Sequence, residues 1–389
     1  MTSTFYPPYH IGGDAVHVEY LARELVHRNH EVHVFHSLDA YLVKKRGLPK
    51  ASESDGVIRH TFKTHLRTSA YTAYVMGNSP SIVGSFRTLV KELKPEVVHH
   101  HNISLLGHGI LTKRGPYVNL YTAHDFWLTC QQSHLNNESV CKGFSCSLCA
   151  IEHQRPPQLW RYYSGFKKAV QSIDLLIAPS DYLRTRLSQS TGLKSMTLPN
   201  FAPLPPNNIS ESPYSNYFLY VGKLEDSKGV MTLVKVFSRI RKKTDTRLLI
   251  VGEGNLRNRI EHFIKDNSLE SSVGCIGFAH GDKLYSLYKG ARALIIPSVG
   301  PENSPLVALE ALSVGTPVIA SNVGGLPEIV SKVDSRLIFD NSYELESILI
   351  NFHEEDYPQT GIEKVYCTTF SPPTYVDKYL KAISDLSKA

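Results

Sequence analysis

The chain has 389 residues, a mass of 43.6 kDa and a formal net charge of +6 at pH 7. Its length favours two domains, and its 42% hydrophobic and 20% charged residues disfavour disordered, collagen-like and coiled-coil proteins. The sequence contains no apolar run long enough to cross a bilayer and no signal-peptide pattern, so we expect neither a membrane-spanning nor a secreted protein. Six cysteines in such a chain indicate a reducing compartment rather than a disulfide scaffold.

The charge is unevenly distributed along the chain. Residues 1–200 carry 22 Lys and Arg against 14 Asp and Glu, whereas the other residues carry 20 against 22. Fifteen of the 18 histidines also fall in the first half. A basic half beside a nearly neutral half suggests two domains with different partners, and a membrane surface, an acidic ligand or nucleic acid would suit the basic half. An ordinary solvated surface explains the same balance.

The chain opens with a loop-like stretch, TSTFYPPYHIGG, that no strand precedes. In a parallel sheet the first glycine-bearing loop normally leaves the carboxyl end of a strand. We therefore expect either that a first strand is missing, which would put the start methionine in doubt, or that the fold starts differently. Gly12 and Gly13 stand just before the first helix, where backbone N–H groups and the helix dipole could hold an anion. An ordinary turn explains the same pair.

Short β-branched runs alternate with amphipathic stretches in the first half, which predicts βαβ units and a parallel sheet. The spacing of apolar residues predicts a first helix over Ala15–Arg28. Buried parallel strands lack a clean polar alternation. The runs that fit this description are Glu31–Phe35, Glu96–His100, Tyr117–Ala123 and Asp174–Ser180.

A Cys-rich insertion is predicted over residues 130–149. It contains Cys130, Cys141, Cys146 and Cys149. Four thiolates suit a tetrahedral Zn²⁺ or an iron–sulfur cluster, and the final C-x2-C has a metal-ligand spacing. Structural zinc sites usually contain two close cysteine pairs, and this segment contains one, so thiols without a metal stay as the alternative.

Two further segments of the first half are candidates for function: a run of three histidines and a segment that mixes aromatic and basic residues. His99, His100 and His101 end a predicted strand, and we expect them to line a cleft rather than to bind a metal. LWRYYSGFKKAV interleaves aromatic rings with Arg161 and two lysines. It fits the interface of an anionic bilayer, and equally a helix that packs its rings on the sheet. No segment resembles a nucleic-acid-binding module.

A Pro- and Asn-rich stretch near residue 200 interrupts the pattern. Proline blocks both helix and ladder hydrogen bonds, so we predict a linker over residues 201–216 between a first domain, residues 1–200, and a second, residues 217–370. Residues 371–389 are expected to form a C-terminal helix that returns to the first domain. Strands and helices alternate regularly after the linker.

Two strand-end loops of the second half contain glycine. GKLEDSKG follows a predicted strand, and Lys223 and Lys228 flank its turn in a way that suits a diphosphate. Solvated surface lysines would look the same. VGEG, with Gly252 and Glu253, follows the next predicted strand.

PENSPLVALEALSVGTPVIAS is the most informative stretch. Glu302 lies in a predicted loop and Glu310 lies eight residues later, in the second turn of a helix expected to begin near Pro305. The first N–H groups of that helix, including Leu306 and Val307, would be free to bind a phosphate. Two carboxylates at this spacing could accept hydrogen bonds from the sugar and ribose hydroxyls of a nucleotide-sugar.

These motifs together resemble the family 4 retaining glycosyltransferases. VGKLEDSKG, VGEG, ALIIPS and PENSPLVALEALSVGTPVIAS are similar to the family's donor domain, and FYPPYHIGG, YTAHDFW and IAPSDYLRTRL are similar to its first domain. The resemblance implies an α/β GT-B fold, with two Rossmann-like domains that face a central cleft. A subset of the family carries cysteines after HD-x-W, as this chain does.

The resemblance also implies roles for individual residues. Gly12 and Gly13 would meet the donor phosphate, Lys223 and Lys228 would hold the diphosphate, and His124 would face the sugar near the reacting carbon. Glu302 would contact the sugar and act with His124 as a catalytic residue, and Glu310 would contact the ribose. The family commonly has arginine where this chain has Lys223, which loses the bidentate fork. The other residues expected to contact the donor are Gly252, Glu253, Ser304, Leu306 and Val307.

The sequence therefore predicts a cytoplasmic hexosyltransferase that retains anomeric configuration. Its donor would be a UDP-, GDP- or ADP-sugar, and its acceptor a glycan or lipid-linked molecule of surface polysaccharide assembly. Transfer would need no cofactor, and the basic domain would rest on the inner face of an anionic membrane. The alternatives are a non-catalytic nucleotide-sugar or metal-binding module, or a GT-B sugar-nucleotide epimerase.

Overall fold

A computed structural model describes residues 1–45, 55–64, 68–133 and 146–388. The chain divides into two compact units. The first comprises Met1–Pro199 with Val376–Ala389, and the second comprises Asn200–Tyr375. Both units are α/β structures with parallel strands.

The first unit contains six strands, β1–β6, among its described residues. They are His33–Ser37, Ile58–Phe62, Val97–His100, Val118–Thr122, Leu175–Ala178 and Ser195–Thr197. Seven helices, α1–α7, accompany them: Gly13–His27, Leu38–Lys44, Ser69–Met76, Pro80–Leu93, Cys146–Glu152, Ser164–Val170 and Asp181–Thr191. The local sequence explains several boundaries. Ser180 caps α7 by accepting a hydrogen bond from Leu183 N at 3.2 Å, and Gly192 ends the helix in the left-handed region.

The opening residues stand where a first strand is expected. β1 pairs with β2, and β3–β4–β5–β6 form a second parallel group. Met1–Thr4 lie between the two groups: Thr2 bridges Phe35 and His100, with Thr2 N donating to His99 O at 2.8 Å and Phe35 N donating to Met1 O at 2.9 Å. These few residues thus link the two groups of strands through backbone hydrogen bonds.

The second unit contains one six-stranded parallel sheet in the order β12–β11–β10–β7–β8–β9. Strands β7–β12 are Tyr217–Val221, Arg247–Val251, Val273–Gly277, Ala293–Ile296, Val318–Ser321 and Ile338–Phe339. Helices α8–α14 are Val230–Ile240, Arg257–Asp266, Gly281–Lys289, Leu306–Ser313, Leu326–Val330, Ser342–Ile350 and Gln359–Thr369. Both faces of the sheet are covered, so its strands are almost continuously apolar and buried.

The proline-rich stretch belongs to the second unit instead of running free as a linker. Phe201 is fully buried with its ring 4.7 Å from that of Tyr375, and Tyr366 Oη donates to the carbonyl of Ala202 at 2.9 Å. Proline removes ladder hydrogen bonds, but it does not prevent neighbouring apolar side chains from packing. A last helix, α15, spans Pro372–Ser387, and its residues from Val376 onward belong to the first unit.

Candidate active site

Glycine loops occupy the carboxyl ends of three neighbouring strands in the second unit. A Cβ at Gly252, whose φ is +145°, would lie 1.8 Å from Gly222 O, so the two loops can approach this closely only with glycine at position 252. Gly252 N donates to Gly277 O at 2.9 Å, which joins the third loop to them. The result is a sheet edge at which three loops lie close together through their backbones.

The loop after β7 also contains Lys228, which contacts Glu302 in the loop after β10. Gly229, at a φ of +67°, approaches the end of β10 so closely that a Cβ would lie 1.8 Å from Pro297 O. Lys228 Nζ then donates to Glu302 Oε1, and Ser298 Oγ donates to the same oxygen at 2.9 Å. Lys228 and Glu302 belong to two motifs that lie 74 positions apart in the sequence, and the structure brings them into contact.

The backbone of Glu302 is fixed by a glycine pair beyond β11. Glu302 O accepts a hydrogen bond from Gly325 N at 2.5 Å. Gly324 has a φ of +62°, and a Cβ there would lie 2.7 Å from Glu302 N. That Gly324 and Gly325 hold the backbone of Glu302 can be read only from the structure.

Glu310 lies on α11 and has a partner. Tyr288 Oη, from α10, donates to Glu310 Oε2 at 3.0 Å. Burial raises the pKa of the Glu310 carboxyl, and the Tyr288 hydrogen bond opposes that rise. The Glu310 carboxyl therefore has a hydrogen-bond partner on an otherwise apolar helix. This partner offsets part of the free-energy cost of burying a polar group.

The amino end of α11 is suited to an anion. Pro305 is its N-cap, so the N–H groups of Leu306 and Val307 begin the helix without intrahelical acceptors. Ser304 Oγ is buried and has no hydrogen-bond partner within the described parts of the chain. The Asn200 side chain donates to Ser304 O at 2.9 Å and holds this turn in place.

Two other residues predicted to contact the nucleotide-sugar, Lys223 and Glu253, lie outside this contact network. Lys223 is exposed, and its side chain makes no ion pair with any residue that the structure describes. Glu253 pairs with Arg257 on α9. The structure therefore joins Lys228 with Glu302 and places Glu310 on the neighbouring helix, while Lys223 and Glu253 stay at the surface.

The first unit builds a separate group of residues at the amino end of α1. Gly12 precedes the helix with a φ of +96°, Gly13 begins it, and Asp14 accepts a hydrogen bond from Asn102 Nδ2 at 2.6 Å. This contact ties the start of α1 to the loop after β3. His124 follows β4 and belongs to the same region, since its ring lies 5.4 Å from that of His17 on α1.

Four histidines surround one another here, and we call them the histidine cluster: His17, His99, His101 and His124. The His99 and His101 rings are 4.0 Å apart, and His101 Nδ1 lies 3.1 Å from His124 Nε2. Burial lowers the pKa of all four imidazoles, and the Asp14 carboxylate partly opposes this at His124. The sequence predicted cleft residues at His99 and His101, but not their contact with His124.

Comparisons with known proteins identify the chain. Residues 11–203 match the sequence model of Glycosyltransferase Family 4, and residues 207–355 match that of Glycosyl transferases group 1. The chain belongs to the family 4 glycosyltransferases. This agrees with the resemblance noted from its motifs.

Relatives of this glycosyltransferase extend over most of its length. An uncharacterized glycosyltransferase of Methanocaldococcus jannaschii is 28% identical over 349 residues, which cover 85% of this chain and 82% of the relative. Sucrose-phosphate synthase from Thermosynechococcus elongatus superposes with a TM-score of 0.70 at 19% identity, covering 99% of both chains. Anabaena HepE, solved with UDP and glucose, has a TM-score of 0.66 at 15% identity, covering 99% of this chain and all of its own. The fold of the glycosyltransferase is GT-B.

The Cys-rich insertion of this glycosyltransferase is only partly described. Cys130 is buried, Cys146 and Cys149 are half-buried on α5, and Cys141 lies outside the described residues. Among the residues that are described, no group of three or more His, Cys, Asp or Glu side chains could hold a metal ion. A structural Zn²⁺ or iron–sulfur cluster stays a prediction. Within the same residues, no helix is both long and apolar enough to cross a membrane.

Proposed function

We propose that this glycosyltransferase moves a hexosyl group from a nucleotide-diphosphate sugar to a glycan or lipid-linked acceptor, with retention of anomeric configuration, in surface polysaccharide assembly. The observation that carries the proposal is the contact of Lys228 with Glu302 beside the amino end of α11. A cation, a carboxylate and free helix N–H groups match the diphosphate and the sugar hydroxyls of such a donor.

In this proposal Lys228 and α11 serve the diphosphate. The Leu306 and Val307 N–H groups and the Ser304 hydroxyl donate to phosphate oxygens, and the positive end of the helix dipole adds to their effect. Lys228 neutralises the charge that grows on the diphosphate as it leaves. Lys223, Gly12 and Gly13 are proposed to contact the same diphosphate.

Glu302 is proposed to hold the sugar. Lys228 and Ser298 both donate to its Oε1, and no described residue donates to Oε2. Oε2 can therefore accept from a sugar hydroxyl while the side chain stays anchored. Orientation of the anomeric carbon in this way is a main source of rate enhancement when the reactants need only be aligned.

The chemical step is proposed to occur on one face of the sugar. The bond from the anomeric carbon to the phosphate oxygen breaks, a bond from that carbon to the acceptor oxygen forms, and the acceptor proton passes to the departing phosphate oxygen. Both bonds lie on the same face, so configuration is retained without an enzyme nucleophile. The residues contribute position and charge neutralisation, and neither a metal nor a cofactor is required.

Glu310 is proposed to bind the ribose. Tyr288 anchors one carboxylate oxygen, Oε2, and the ribose hydroxyls would occupy the other. Because ribose is common to UDP-, GDP- and ADP-sugars, this contact accepts all three donors. Gly252 and Glu253 are proposed to contribute the neighbouring loop.

A thermal-shift and turnover screen tests the donor proposal. Each UDP-, GDP- and ADP-sugar is added separately, and a saturating donor is expected to raise the midpoint by binding only the folded state. The stabilising donor should also be hydrolysed slowly without an acceptor and faster with one. Binding of a nucleotide-sugar with no turnover in any mixture would instead identify a non-catalytic module. A product that is an epimerised nucleotide-sugar would identify an epimerase.

The acceptor side is proposed to rest on the inner face of an anionic membrane. Three neighbouring elements of the first unit, α3, α5 and a turn at Leu159–Tyr162, together with the adjoining Tyr163, expose seven large apolar side chains that we call the aromatic patch. Each is between 54% and 66% exposed: Tyr71, Met76, Leu148, Ile151, Leu159, Tyr162 and Tyr163. Trp160 Nε1 donates to Tyr74 O at 3.0 Å, which ties the turn to α3, and Ser147 contacts Tyr162, which ties it to α5.

Charge and packing around the aromatic patch fit a lipid surface. Lys167 and Lys168 are exposed on α6, which begins two residues after the turn. Trp160 and Phe166 are buried, so the segment both packs on its unit and exposes rings. Exposed apolar groups of this number usually mark an interaction surface, and lysines beside them favour anionic lipid.

The Y162S/Y163S double variant is expected to weaken binding to vesicles of anionic phospholipid by about tenfold or more, because two ring contacts with the interface are lost. Tyr343→Ser is the matched control, since Tyr343 is 79% exposed on α13 of the second unit. Co-sedimentation with anionic and with zwitterionic vesicles measures the binding. If the wild type ignores anionic vesicles, or the double variant and the control bind equally, the membrane proposal is wrong.

A further inference from the structure

The histidine cluster contains one hydrogen bond whose direction can be worked out. His101 Nδ1 lies 3.1 Å from His124 Nε2, and the two rings are nearly parallel, at 22° with centroids 5.4 Å apart. His101 is fully buried, and its second nitrogen, Nε2, has no hydrogen-bond partner among the described residues. Within the described parts of the chain, the hydrogen bond to His124 is therefore the one that the His101 side chain makes.

Burial makes both rings neutral near pH 7, because it lowers the pKa of each. A neutral imidazole has one N–H donor and one bare acceptor nitrogen. A buried donor without a partner is rarer and more costly than a buried acceptor without one. His101 therefore has its proton on Nδ1, donates to His124 Nε2, and leaves Nε2 as the bare nitrogen. His124 must then have its own proton on Nδ1.

The neighbouring elements hold this arrangement in place. Behind His101, the His99 ring lies 4.0 Å away and is itself fixed, with Nε2 2.7 Å from Thr122 Oγ1 and Nδ1 3.0 Å from Tyr379 Oη on α15. On the side of α1, the His17 ring meets His124 edge-on at 5.4 Å. Asp14 is the charged group whose field reaches His124.

We propose that His101 is a positioning residue that donates a hydrogen bond to His124 Nε2 and so fixes the orientation and the Nδ1-protonated tautomer of that ring. The consequence for catalysis rests on the proposed function, in which His124 faces the sugar. A ring free to exchange tautomers or to turn would present its groups to the sugar only part of the time. The turnover number would then fall while the affinity for the donor stays the same.

Nitrogen NMR reads the tautomer directly. In protein labelled with ¹⁵N-histidine, long-range ¹H–¹⁵N correlations distinguish the two neutral tautomers, and the signals missing in His124→Gln identify His124. We expect the Nδ1-protonated pattern in the wild type. His101→Leu removes the donor and should give a mixture of tautomers at His124. His101→Asn places an amide N–H close to the former Nδ1 and should restore the wild-type pattern.

A matched control separates this hydrogen bond from the loss of any buried histidine. His100 is fully buried on the opposite face of β3, where Nδ1 contacts Thr2 Oγ1 at 2.8 Å. His100→Asn should leave the His124 signals unchanged. An Nε2-protonated His124 in the wild type, or unchanged His124 signals in His101→Leu, would overturn the proposal. Tryptophan fluorescence, which reports burial of Trp127 and Trp160, confirms that each variant is folded.

Kinetics then test the catalytic consequence. His101→Leu should lower kcat by about tenfold with little change in KM for the donor, and His101→Asn should recover most of the loss. Equal kcat in His101→Leu and the wild type would overturn the positioning role. If no nucleotide-sugar is turned over by the wild type, the proposed function fails, whereas the tautomer pattern still decides the role of His101.

Discussion

Replacing Glu302 with Gln is expected to lower kcat for sugar transfer by about a hundredfold or more while the thermal midpoint stays unchanged. The amide keeps the volume of the side chain but loses the charge that pairs with Lys228 and accepts from the sugar hydroxyls. Lys228→Ala should cause a loss of similar size, since the leaving diphosphate then lacks its cation. Initial rates with the donor identified by the screen, together with thermal melts, measure both effects.

Glu346→Gln provides the matched control. Glu346 on α13 accepts from Arg239 Nε at 2.9 Å, and its side chain is 17% exposed, the same fraction as that of Glu302. The Glu346→Gln variant also loses the carboxylate of an ion pair in the second unit, but this pair does not involve the proposed donor residues. Activity should therefore be kept. Full activity in Glu302→Gln, or an equal loss in Glu346→Gln, would remove the proposed role of Glu302.

Acidification from pH 7 to pH 5 is expected to destabilise the first unit strongly. Five of its histidines are buried, and burial lowers the pKa of each: to about 4 at His36, to about 3 at His100, and well below the ordinary value at His17, His99 and His101. The unfolded chain, with histidine pKa values near 6.5, binds protons first as the pH falls. The stabilising contribution is therefore complete above about pH 6.5 and is lost below it.

The expected effect is large. Each such histidine lowers the free energy of unfolding by about 1.4 kcal/mol per pH unit below its unfolded pKa. His36 and His100, with pKa values of about 4 and about 3, together remove about 4 kcal/mol by pH 5, and the other three histidines act in the same direction. A typical domain has a stability of about 5–15 kcal/mol. Both tryptophans of the chain, Trp127 and Trp160, are buried in the first unit, so urea unfolding followed by tryptophan fluorescence reports this unit alone.

A single substitution tests the cause of the acid sensitivity. His36→Gln places an amide near Nε2, which contacts Thr61 Oγ1 at 2.9 Å, and removes one titrating group. The dependence of unfolding free energy on pH should become flatter by about 1.4 kcal/mol per pH unit. His353→Gln, in the second unit, should leave the fluorescence transition unchanged. A wild-type transition that is independent of pH between 7 and 5 would show that these histidines do not titrate as proposed.

Secondary structure followed closely from the sequence, because apolar runs of strand length are separated by turn residues throughout. The predicted helix over Ala15–Arg28 is observed as Gly13–His27, and the predicted helix near Pro305 begins at Leu306. The packing of short or irregular segments could not be read from the sequence. Thr2 bridges two groups of strands without belonging to a strand, and Phe201 is fully buried within a proline-rich stretch.

The candidate site was predictable by residue type but not by contact. Glycines, lysines and glutamates at strand ends indicated an anion and a sugar, since parallel strands gather their carboxyl ends at one edge. Which of them touch depends on loop approach, as at Gly229, whose missing side chain lets Lys228 reach Glu302. The contact of Glu310 with Tyr288, on α10, could not be read from either segment alone. His101 likewise becomes significant only through its 3.1 Å contact with His124.

The anomeric configuration of the product tests the central claim most directly. With an α-linked donor, an acceptor and catalytic amounts of enzyme, ¹H NMR of the purified product reports the new glycosidic bond through its anomeric coupling constant, and this bond does not change configuration after release. Transfer by the proposed same-face route predicts an α-linked product from the α-linked donor. A β-linked product would contradict it, because inversion requires attack from the opposite face of the sugar.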